Sequence, residues 1–239
     1  YQLPRRHPRI NQAELDYIES DHESEEAAAA VIGWKEAIGY RQTWGFAAAK
    51  FFSDPVWWFY LYWIPPYLYD VRQFNIIEVG WTLPVIYLMA DFGSVFGGWL
   101  SGYFIRRGMP SGKARKTAML SMALCMPIAA LCAFAEGAIL AVALVSVATA
   151  AHQGWSANLF TTTSDVFPKQ AVASVTGIGG AVGAFGGVLF TGLLPGYIVQ
   201  HFGYTPMFLI MGAFHLIAFT CVHLLMRDMK PLFSPTARA

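Results

Sequence analysis

Charged side chains are scarce in this chain of 239 residues, at 13% of the total. Soluble domains carry about 25%, and the deficit here is concentrated in long stretches. No Asp, Glu, Lys or Arg occurs between Lys169 and Arg227, and Glu136 is the only one between Lys116 and Asp165. Such runs are too long for core helices and suit several bilayer crossings. The composition therefore excludes a soluble enzyme, a disordered chain and a nucleic-acid-binding protein.

Cysteine and the motifs of catalytic and metal sites are also scarce. The three cysteines, Cys125, Cys132 and Cys221, lie in apolar runs without a Cys-x-x-Cys pair, and we interpret them as packing residues. The sequence contains no His-Glu-x-x-His, no Gly-x-Ser-Gly and no phosphate-binding loop motif. We therefore expect a protein that is not an enzyme, holds no metal and uses no cofactor.

The sequence does contain six long apolar segments. Each exceeds or approaches the ~20 residues of one crossing, and helices are expected because every backbone polar group must be paired in lipid. We predict an all-α, polytopic membrane protein with a cytoplasmic linker over 1–42, a six-helix transmembrane bundle over 43–230 and a cytoplasmic tail over 231–239. Because the chain begins with Tyr1 in a polar stretch, we expect a fragment. The six segments are 44–69, 77–105, 117–135, 138–162, 172–199 and 204–226.

Basic residues predict the orientation of this bundle. If residues 1–42 are cytoplasmic, all of the 16 Lys and Arg residues except Arg72 fall on the cytoplasmic side. Lys50 is placed there too, near the inner mouth of the first helix. The positive-inside rule thus predicts a multi-pass membrane protein with both termini in the cytoplasm.

Polar residues within the apolar segments are candidates for function, because burying them in lipid is costly. Asp91 lies midway along the second segment and His152 midway along the fourth. Both are ~20 Å deep by helical rise, so we predict that they form a polar pair. The alternative is that each one hydrogen-bonds to a neighbouring helix.

The fourth segment carries a stripe of hydrogen-bond donors and acceptors beside the indole of Trp155. Such a stripe suits a polyhydroxylated ligand, because its hydroxyl groups need hydrogen-bond partners and the apolar face of its ring stacks on an aromatic side chain. The first segment could supply the facing aromatic wall, for which we favour its deeper residues. Trp57 and Trp58 are either part of that wall or an interfacial belt. The predicted substrate-binding residues are Tyr60, Trp63, His152, Trp155, Ser156 and Asn158.

Glycines recur at four-residue spacing in the second and fifth segments, for example Gly93 and Gly97, and Gly179, Gly183 and Gly187. Small residues at this spacing allow helices to approach closely. The simpler interpretation is that these glycines allow close helix packing, and the functional interpretation is that they allow the helices to slide against each other as a gate.

Several strings together resemble a known family. They are His7-Pro-Arg9, Asp54-Pro55, Trp63-Ile-Pro65, Ala90-Asp91, His152-Gln-Gly-Trp-Ser156 and Thr163-Ser-Asp165-Val-Phe167. Over essentially its whole length the chain resembles the C-terminal half of a major facilitator superfamily transporter, within the anion:cation symporter branch and most like the hexuronate transporters.

The resemblance implies secondary transport of a sugar-acid anion such as glucuronate or galacturonate, together with a proton, across the inner membrane of a bacterium. It implies a missing N-terminal half of six helices, and a site between the two halves at the middle of the bilayer. No Arg or Lys falls at mid-depth in the predicted helices, so the missing half is expected to supply the cation for the carboxylate. The residues matching cytoplasmic gate elements are Arg106, Arg107, Arg115, Lys116 and Asp165.

Two departures and two alternatives accompany this resemblance. Arg106 occupies a position where the superfamily prefers an acid, and Gly183 one where some aldonate carriers have a polar side chain. The alternatives are a transporter of another organic anion, such as galactonate, tartrate or phthalate, and a stand-alone six-helix module that acts as a channel or a partner subunit.

Overall fold

The computed structural model describes residues 3–19 and 33–232, and within these two ranges it contains helices and turns but no strand. Part of the predicted linker (20–32) and most of the predicted tail (233–239) lie outside the described residues. A short 3-10 turn, Pro4–Arg6, precedes the helices. The helices are α1 (Gln12–Glu19), α2 (Trp34–Ala37), α3 (Arg41–Asp70), α4 (Ile76–Arg106), α5 (Ser111–Cys125), α6 (Ala138–Val166), α7 (Lys169–Gly187), α8 (Leu194–Phe202) and α9 (Thr205–Leu225).

Two of these helices continue into tighter or wider turns. A 3-10 segment, Met126–Phe134, extends α5, and a π segment, Val188–Leu193, joins α7 to α8. The long helical units agree with the six predicted apolar segments to within a few residues at each end. This agreement arises because lipid-compatible length and apolarity dictate where such helices begin and end.

Within the described residues, five helical units are long and apolar enough to cross a membrane: α4, α5 with its 3-10 extension, α6, α7 through α8, and α9. Helix α3 has 30 residues, but Lys50, Asp54 and several Trp, Tyr and Pro residues make it more polar. The predicted count of six crossings is therefore not confirmed, and the crossing of α3 stays a prediction.

Glycines permit the closest helix contacts in the bundle. Helix α4 packs extensively on α6, where Gly97 meets the backbone of Gly154 and Gly93 meets that of Ala150. A Cβ atom at Gly93 or Gly97 would overlap these backbone atoms. Asn158 reinforces the contact, since its Nδ2 donates to the carbonyl of Gly97 at 2.8 Å. These glycines serve the close packing that their spacing predicted.

Helix α7 packs on α3 in a similar way. A Cβ atom at Gly179 would overlap the ring of Phe46, and one at Gly186 would overlap the carbonyl of Phe51. That carbonyl lies four residues before Pro55, which has no N–H to pair with it. The π segment makes a further link here, because the hydroxyl of Thr191 donates to the Pro55 carbonyl at 3.1 Å.

One end of the bundle gathers most of the basic residues, and we call it the basic end. Arg115 at the start of α5 joins α4 and α6 there: its Nε lies 3.1 Å from Asp165 and its Nη1 donates to Ser101 at 2.8 Å. Lys116 donates to the Arg227 carbonyl at 2.6 Å. The structure thus brings together Arg115 and Asp165 among the predicted gate residues.

The remaining predicted gate residues, Arg106 and Arg107, are exposed where α4 ends. Arg107 lies over the ring of Tyr103, 5.0 Å from its centroid. Neither residue makes a salt bridge within the part of the chain that the structure describes.

At the opposite end, Arg72 holds the α3–α4 turn against the α5–α6 hairpin. Its guanidinium donates to the carbonyls of Cys132 at 2.5 Å and Ala135 at 2.8 Å, and to the hydroxyl of Tyr67 at 2.7 Å. The Tyr67 hydroxyl also donates to Cys132, at 2.9 Å. The Cys132 carbonyl also accepts the N–H of Ala135 at 3.4 Å, so these bonds reinforce the end of the 3-10 segment.

We expect Arg72→Ala to lower stability by about 1.5–3 kcal/mol, because it removes charge-assisted hydrogen bonds to the Cys132 and Ala135 carbonyls and takes from the Ala135 carbonyl its side-chain partner. Thermal unfolding of the detergent-solubilised protein measures the effect. Arg107→Ala is the matched control, since its contact with Tyr103 is an exposed cation–π pair worth about 0.5–1 kcal/mol. Equal losses in the two variants would contradict the structural role of Arg72.

Candidate functional site

A cavity lined by polar and aromatic side chains, which we call the polar cavity, lies between α3 and α6. Helix α3 lines it with residues at positions i, i+4, i+7 and i+8, and α6 lines it with residues at i, i+1, i+4 and i+8, so each helix presents one face. The cavity holds about 200 Å³, below the ~300–1,000 Å³ typical of drug-sized ligands, which suits a small solute. Its lining residues are Lys50, Asp54, Trp57, Trp58, His152, Gln153, Ser156 and Phe160.

An ion pair forms the charged wall of this cavity. Lys50 Nζ lies 2.9 Å from Asp54 Oδ2, one helical turn away, and the two side chains are 10% and 20% exposed. The Lys50 ammonium also lies 4.5 Å from the centroid of the Phe160 ring. Both charges are thus largely removed from solvent, yet they border a cavity that a solute can reach.

The structure adds the depth of Lys50 along its helix to what the sequence predicts. The sequence located it near the inner mouth of the first segment, and no cation was expected at mid-depth. By helical rise, Lys50 lies about 14 Å and Asp54 about 20 Å from the start of α3 at Arg41. Lys50 thus lies about a third of the way along α3, and its pairing with Asp54 allows both side chains to be largely buried.

The second wall is built on His152, at the middle of α6. Its ring stacks on Trp57, with centroids 5.5 Å apart and planes 14° from parallel. Behind the cavity, His152 Nδ1 lies 3.1 Å from Nε2 of His215 on α9, which is fully buried. One of these two nitrogens donates the proton and the other accepts it.

Polar groups that make no hydrogen bond inside the bundle complete the cavity. Gln153 and Ser156 are partly exposed, and neither side chain makes a hydrogen bond to the residues that the structure describes. An amide and a hydroxyl can both donate and accept. The cavity therefore combines one cation, one carboxylate, neutral hydrogen-bonding groups and flat aromatic faces.

Three of the predicted substrate-binding residues lie away from this cavity. Tyr60 and Trp155 are buried, and neither the Tyr60 hydroxyl nor the Trp155 indole N–H has a partner among the described residues. Trp155 packs edge-on against His215, with ring centroids 5.4 Å apart. Asn158 is fully buried and bonded to Gly97 and Gly154. Trp155 and Ser156 are separated by about 100° around α6, and of the two only Ser156 lines the cavity.

Trp63 lies in a different depression, between α3 and the π segment. This larger cavity of about 570 Å³ is lined by Trp58, Tyr62, Trp63, Pro66 and small or apolar residues of α7 and the π segment. The indole N–H of Trp63 donates to the Thr191 carbonyl at 3.0 Å. Its apolar lining suits a lipid chain or another helix rather than a polyhydroxylated anion.

The predicted pair of Asp91 and His152 is not formed. Asp91 lies on the exposed face of α4 and makes no hydrogen bond or ion pair with the described residues. His152 is 4% exposed and faces Trp57 and His215 instead. Equal depth did not bring the two together because α4 contacts α6 through Gly93 and Gly97, which turns Asp91 outward.

Sequence reasoning did not assign Lys50, Asp54, Phe160 or His215 to the site. A signal was present for the first two, since Lys50, Asp54, Trp57 and Trp58 follow the spacing of one helical face. Trp57 and Trp58 both line the cavity. The same spacing favours their assignment to the aromatic wall of the site over their assignment to a belt at the membrane interface.

Comparison with known proteins gives matches over most of the chain. The family model described as Major Facilitator Superfamily matches residues 4–191. The chain is 29% identical over 222 residues to the hexuronate transporter of Escherichia coli (strain K12), covering 91% of this chain and 51% of that protein.

Two further relatives are similar to the chain over most of its length. The "Probable galactarate/D-glucarate transporter GarP" of Escherichia coli (strain K12) is 29% identical over 241 residues, 95% of this chain and 53% of the relative. The D-galactonate transporter of Escherichia coli O6:H1 is 26% identical over 240 residues, which cover 96% of this chain and 55% of that relative. The chain thus spans about half the length of the curated relatives it matches.

Proposed function

Because this chain belongs to the major facilitator superfamily, we propose that it forms one half of a transporter that carries a sugar-acid anion, a hexuronate by preference, together with a proton. The matched region covers more than half of the chain, and the chain is a multi-pass membrane protein and not an enzyme. Its relatives are named as transporters of hexuronate, galactarate or glucarate, and galactonate. The polar cavity is the observation that carries the proposal.

The chemistry of the cavity suits a polyhydroxylated carboxylate. The Lys50 ammonium provides a charge for the carboxylate, and a charge-assisted hydrogen bond is about twice as strong as a neutral one. The hydroxyl groups of a sugar find donors and acceptors in Gln153 and Ser156. The apolar face of a pyranose ring packs on Trp57 or Phe160. Of the residues predicted from sequence, His152 and Ser156 remain in the proposed binding set.

We further propose that a second set of helices completes this cavity. The support is that the relatives are about twice as long and that the cavity is a partly open concavity on one side of the bundle. In such transporters, two halves rock about a central site. The basic end is then cytoplasmic, as the positive-inside rule predicts, and Arg115 with Asp165 forms part of a gate there.

Uptake by the complete gene product tests the function. We expect labelled glucuronate to accumulate in proteoliposomes when an inward proton gradient is imposed, and unlabelled glucuronate or galacturonate to compete. Stronger competition by galactonate, tartrate or phthalate would favour the alternative of another organic anion. Ion flux that does not saturate, with no accumulation of any sugar acid, would contradict the proposal and favour a channel.

Gly183 controls the space beside the ion pair. A Cβ atom at this position would overlap the Asp54 carboxylate and approach Lys50 Cβ to 3.2 Å. We expect Gly183→Ser to displace the pair and to weaken hexuronate binding about tenfold, equal to about 1.4 kcal/mol. Gly180→Ser, less than one turn earlier on α7, is the matched control because a Cβ atom there meets nothing within 4 Å. A Gly183→Ser variant with unchanged affinity would refute the role of this glycine.

A further inference from the structure

We propose that a cavity at the basic end binds the phosphate of an anionic phospholipid headgroup, and we call this cavity the headgroup pocket. It lies where α5 begins and α9 ends, and its volume is about 410 Å³. Neither helix lines the polar cavity, so the headgroup pocket is separate from the proposed substrate site. The proposal is therefore independent of which solute the protein carries. The ionisable residues that line the headgroup pocket are Lys113, Lys116, His223, Arg227, Asp228 and Lys230.

The charges of the headgroup pocket favour an anion. Four basic side chains line it, and Asp228 is the one acid among its described lining residues. Lys113, Arg227 and Lys230 are exposed, and their side chains form no hydrogen bond or ion pair with the residues that the structure describes. Cations grouped in this way suit a phosphate, because its oxygens accept several charge-assisted hydrogen bonds.

The first turn of α5 adds backbone donors to these cations. Pro110 precedes the helix without a side-chain cap, and no acid lies in the first turn. The first N–H groups of a helix have no partner within it, and this end of a helix carries a partial positive charge. Because Ser111 and Gly112 line the headgroup pocket, these donors border the space that a phosphate would occupy.

The segment that follows α9 is held firmly beside the start of α5. Lys116 Nζ donates to the Arg227 carbonyl at 2.6 Å. Met229 is buried and has a φ of +39°, in the left-handed region that non-glycine residues seldom adopt. Its Cβ atom lies so close to Gly112 that a Cβ atom at Gly112 would overlap it. This packing fixes the backbone that carries Arg227 and Lys230 at the edge of the headgroup pocket.

Apolar side chains lead from the headgroup pocket towards the middle of the bilayer, which favours a lipid over a free anion. Leu120 and Leu124 follow Lys116 at i+4 and i+8 on the same face of α5, and both are exposed. On α9, Phe219 lies one turn from His223, with ring centroids 5.9 Å apart. A phospholipid joins an anionic phosphate to apolar chains and so matches both features. Basic pockets between helices at the cytoplasmic surface are typical sites for such headgroups.

Titration of the purified, complete gene product with dioleoyl phosphatidylglycerol, followed by native mass spectrometry, tests the proposal. We expect phosphatidylglycerol to bind at least several-fold more tightly than dioleoyl phosphatidylcholine, whose headgroup has no net charge. Equal affinity for the two lipids would overturn the assignment of an anion site. Displacement of phosphatidylglycerol by an equimolar amount of inorganic phosphate would overturn the assignment to a lipid.

Arg227→Gln combined with Lys230→Gln supplies the residue-specific arm. We expect this double variant to bind phosphatidylglycerol about tenfold more weakly, because each basic residue near an anionic headgroup adds to the attraction. Arg106→Gln combined with Arg107→Gln is the matched control, since it removes the same charge from the same end of the bundle. Neither arginine lines the headgroup pocket, so affinity close to that of the wild type is expected.

Equal losses in the two double variants would indicate general attraction to basic charge and would overturn the headgroup pocket. If the double variant of the pocket does not fold, Lys230→Gln alone is compared with Arg107→Gln. Both of these residues are exposed, so neither single change disturbs a buried contact. A weaker affinity for phosphatidylglycerol in Lys230→Gln only would support the proposal, and equal affinities would overturn it.

Discussion

Lys50→Gln is expected to weaken hexuronate binding roughly 30-fold or more. Truncating one partner of a buried, hydrogen-bonded charge pair costs about 2–5 kcal/mol, and 1.4 kcal/mol corresponds to a factor of ten. Lys50 has this character because its side chain is 10% exposed and pairs with Asp54. The substrate carboxylate would lose the cation that lines the described cavity.

Binding of glucuronate to the purified, complete gene product measures this effect, and uptake into proteoliposomes provides a second readout. Lys113→Gln is the matched control, since Lys113 is an exposed lysine at the basic end and its removal leaves the cavity unchanged. Lys50→Arg keeps the charge but places a larger, planar group in a cavity of about 200 Å³, so partial binding is expected. Wild-type affinity in Lys50→Gln would contradict the assignment of the cavity as the anion site.

Gly97→Val is expected to have the largest effect on stability. The Cβ atom would overlap the backbone of Gly154, and backbone cannot move aside as a side chain can. Overpacking of this kind costs about 1–3 kcal/mol or more. Separation of the two helices would also stretch the Asn158–Gly97 hydrogen bond of 2.8 Å, worth about 0.5–1.5 kcal/mol.

Gly98→Val offers an unusually close control for this prediction. Gly98 is the next residue on α4, and a Cβ atom there meets nothing within 4 Å. The two variants introduce the same β-branched side chain into the same helix, so their difference isolates the contact with α6. Thermal unfolding in detergent should show a markedly lower midpoint for Gly97→Val than for Gly98→Val. Equal midpoints would refute the importance of the α4–α6 contact.

Much of the fold follows from the sequence because membrane helices obey simple rules of length and apolarity. The six apolar segments predicted the long helices, and the spacing of Gly93 and Gly97 predicted a close contact. The π segment at Val188–Leu193 and the 3-10 segment at Met126–Phe134 had no signal of this kind. They depend on packing against neighbours, such as the bond from Thr191 to Pro55, which sequence spacing does not reveal.

The candidate site was only partly accessible to sequence reasoning. His152 and Ser156 were identified because polar groups in an apolar helix are conspicuous, and both line the cavity. Asp91 was equally conspicuous, but depth along a helix does not specify the direction that a side chain faces. His215 was overlooked, although it lies 3.1 Å from His152, because that contact joins residues 63 positions apart.

The scarcity of charge, taken alone, determined that this is a helical membrane protein and where its helices run. It could not decide which of the few remaining charges serve the site. Tertiary packing decided that, because Gly183 on α7 and the His152 face of α6 enclose Lys50 and Asp54, while Gly97 turns Asp91 away. The physical reason is that the rotation of each helix about its axis is fixed by the residues it packs against, and these come from distant parts of the chain.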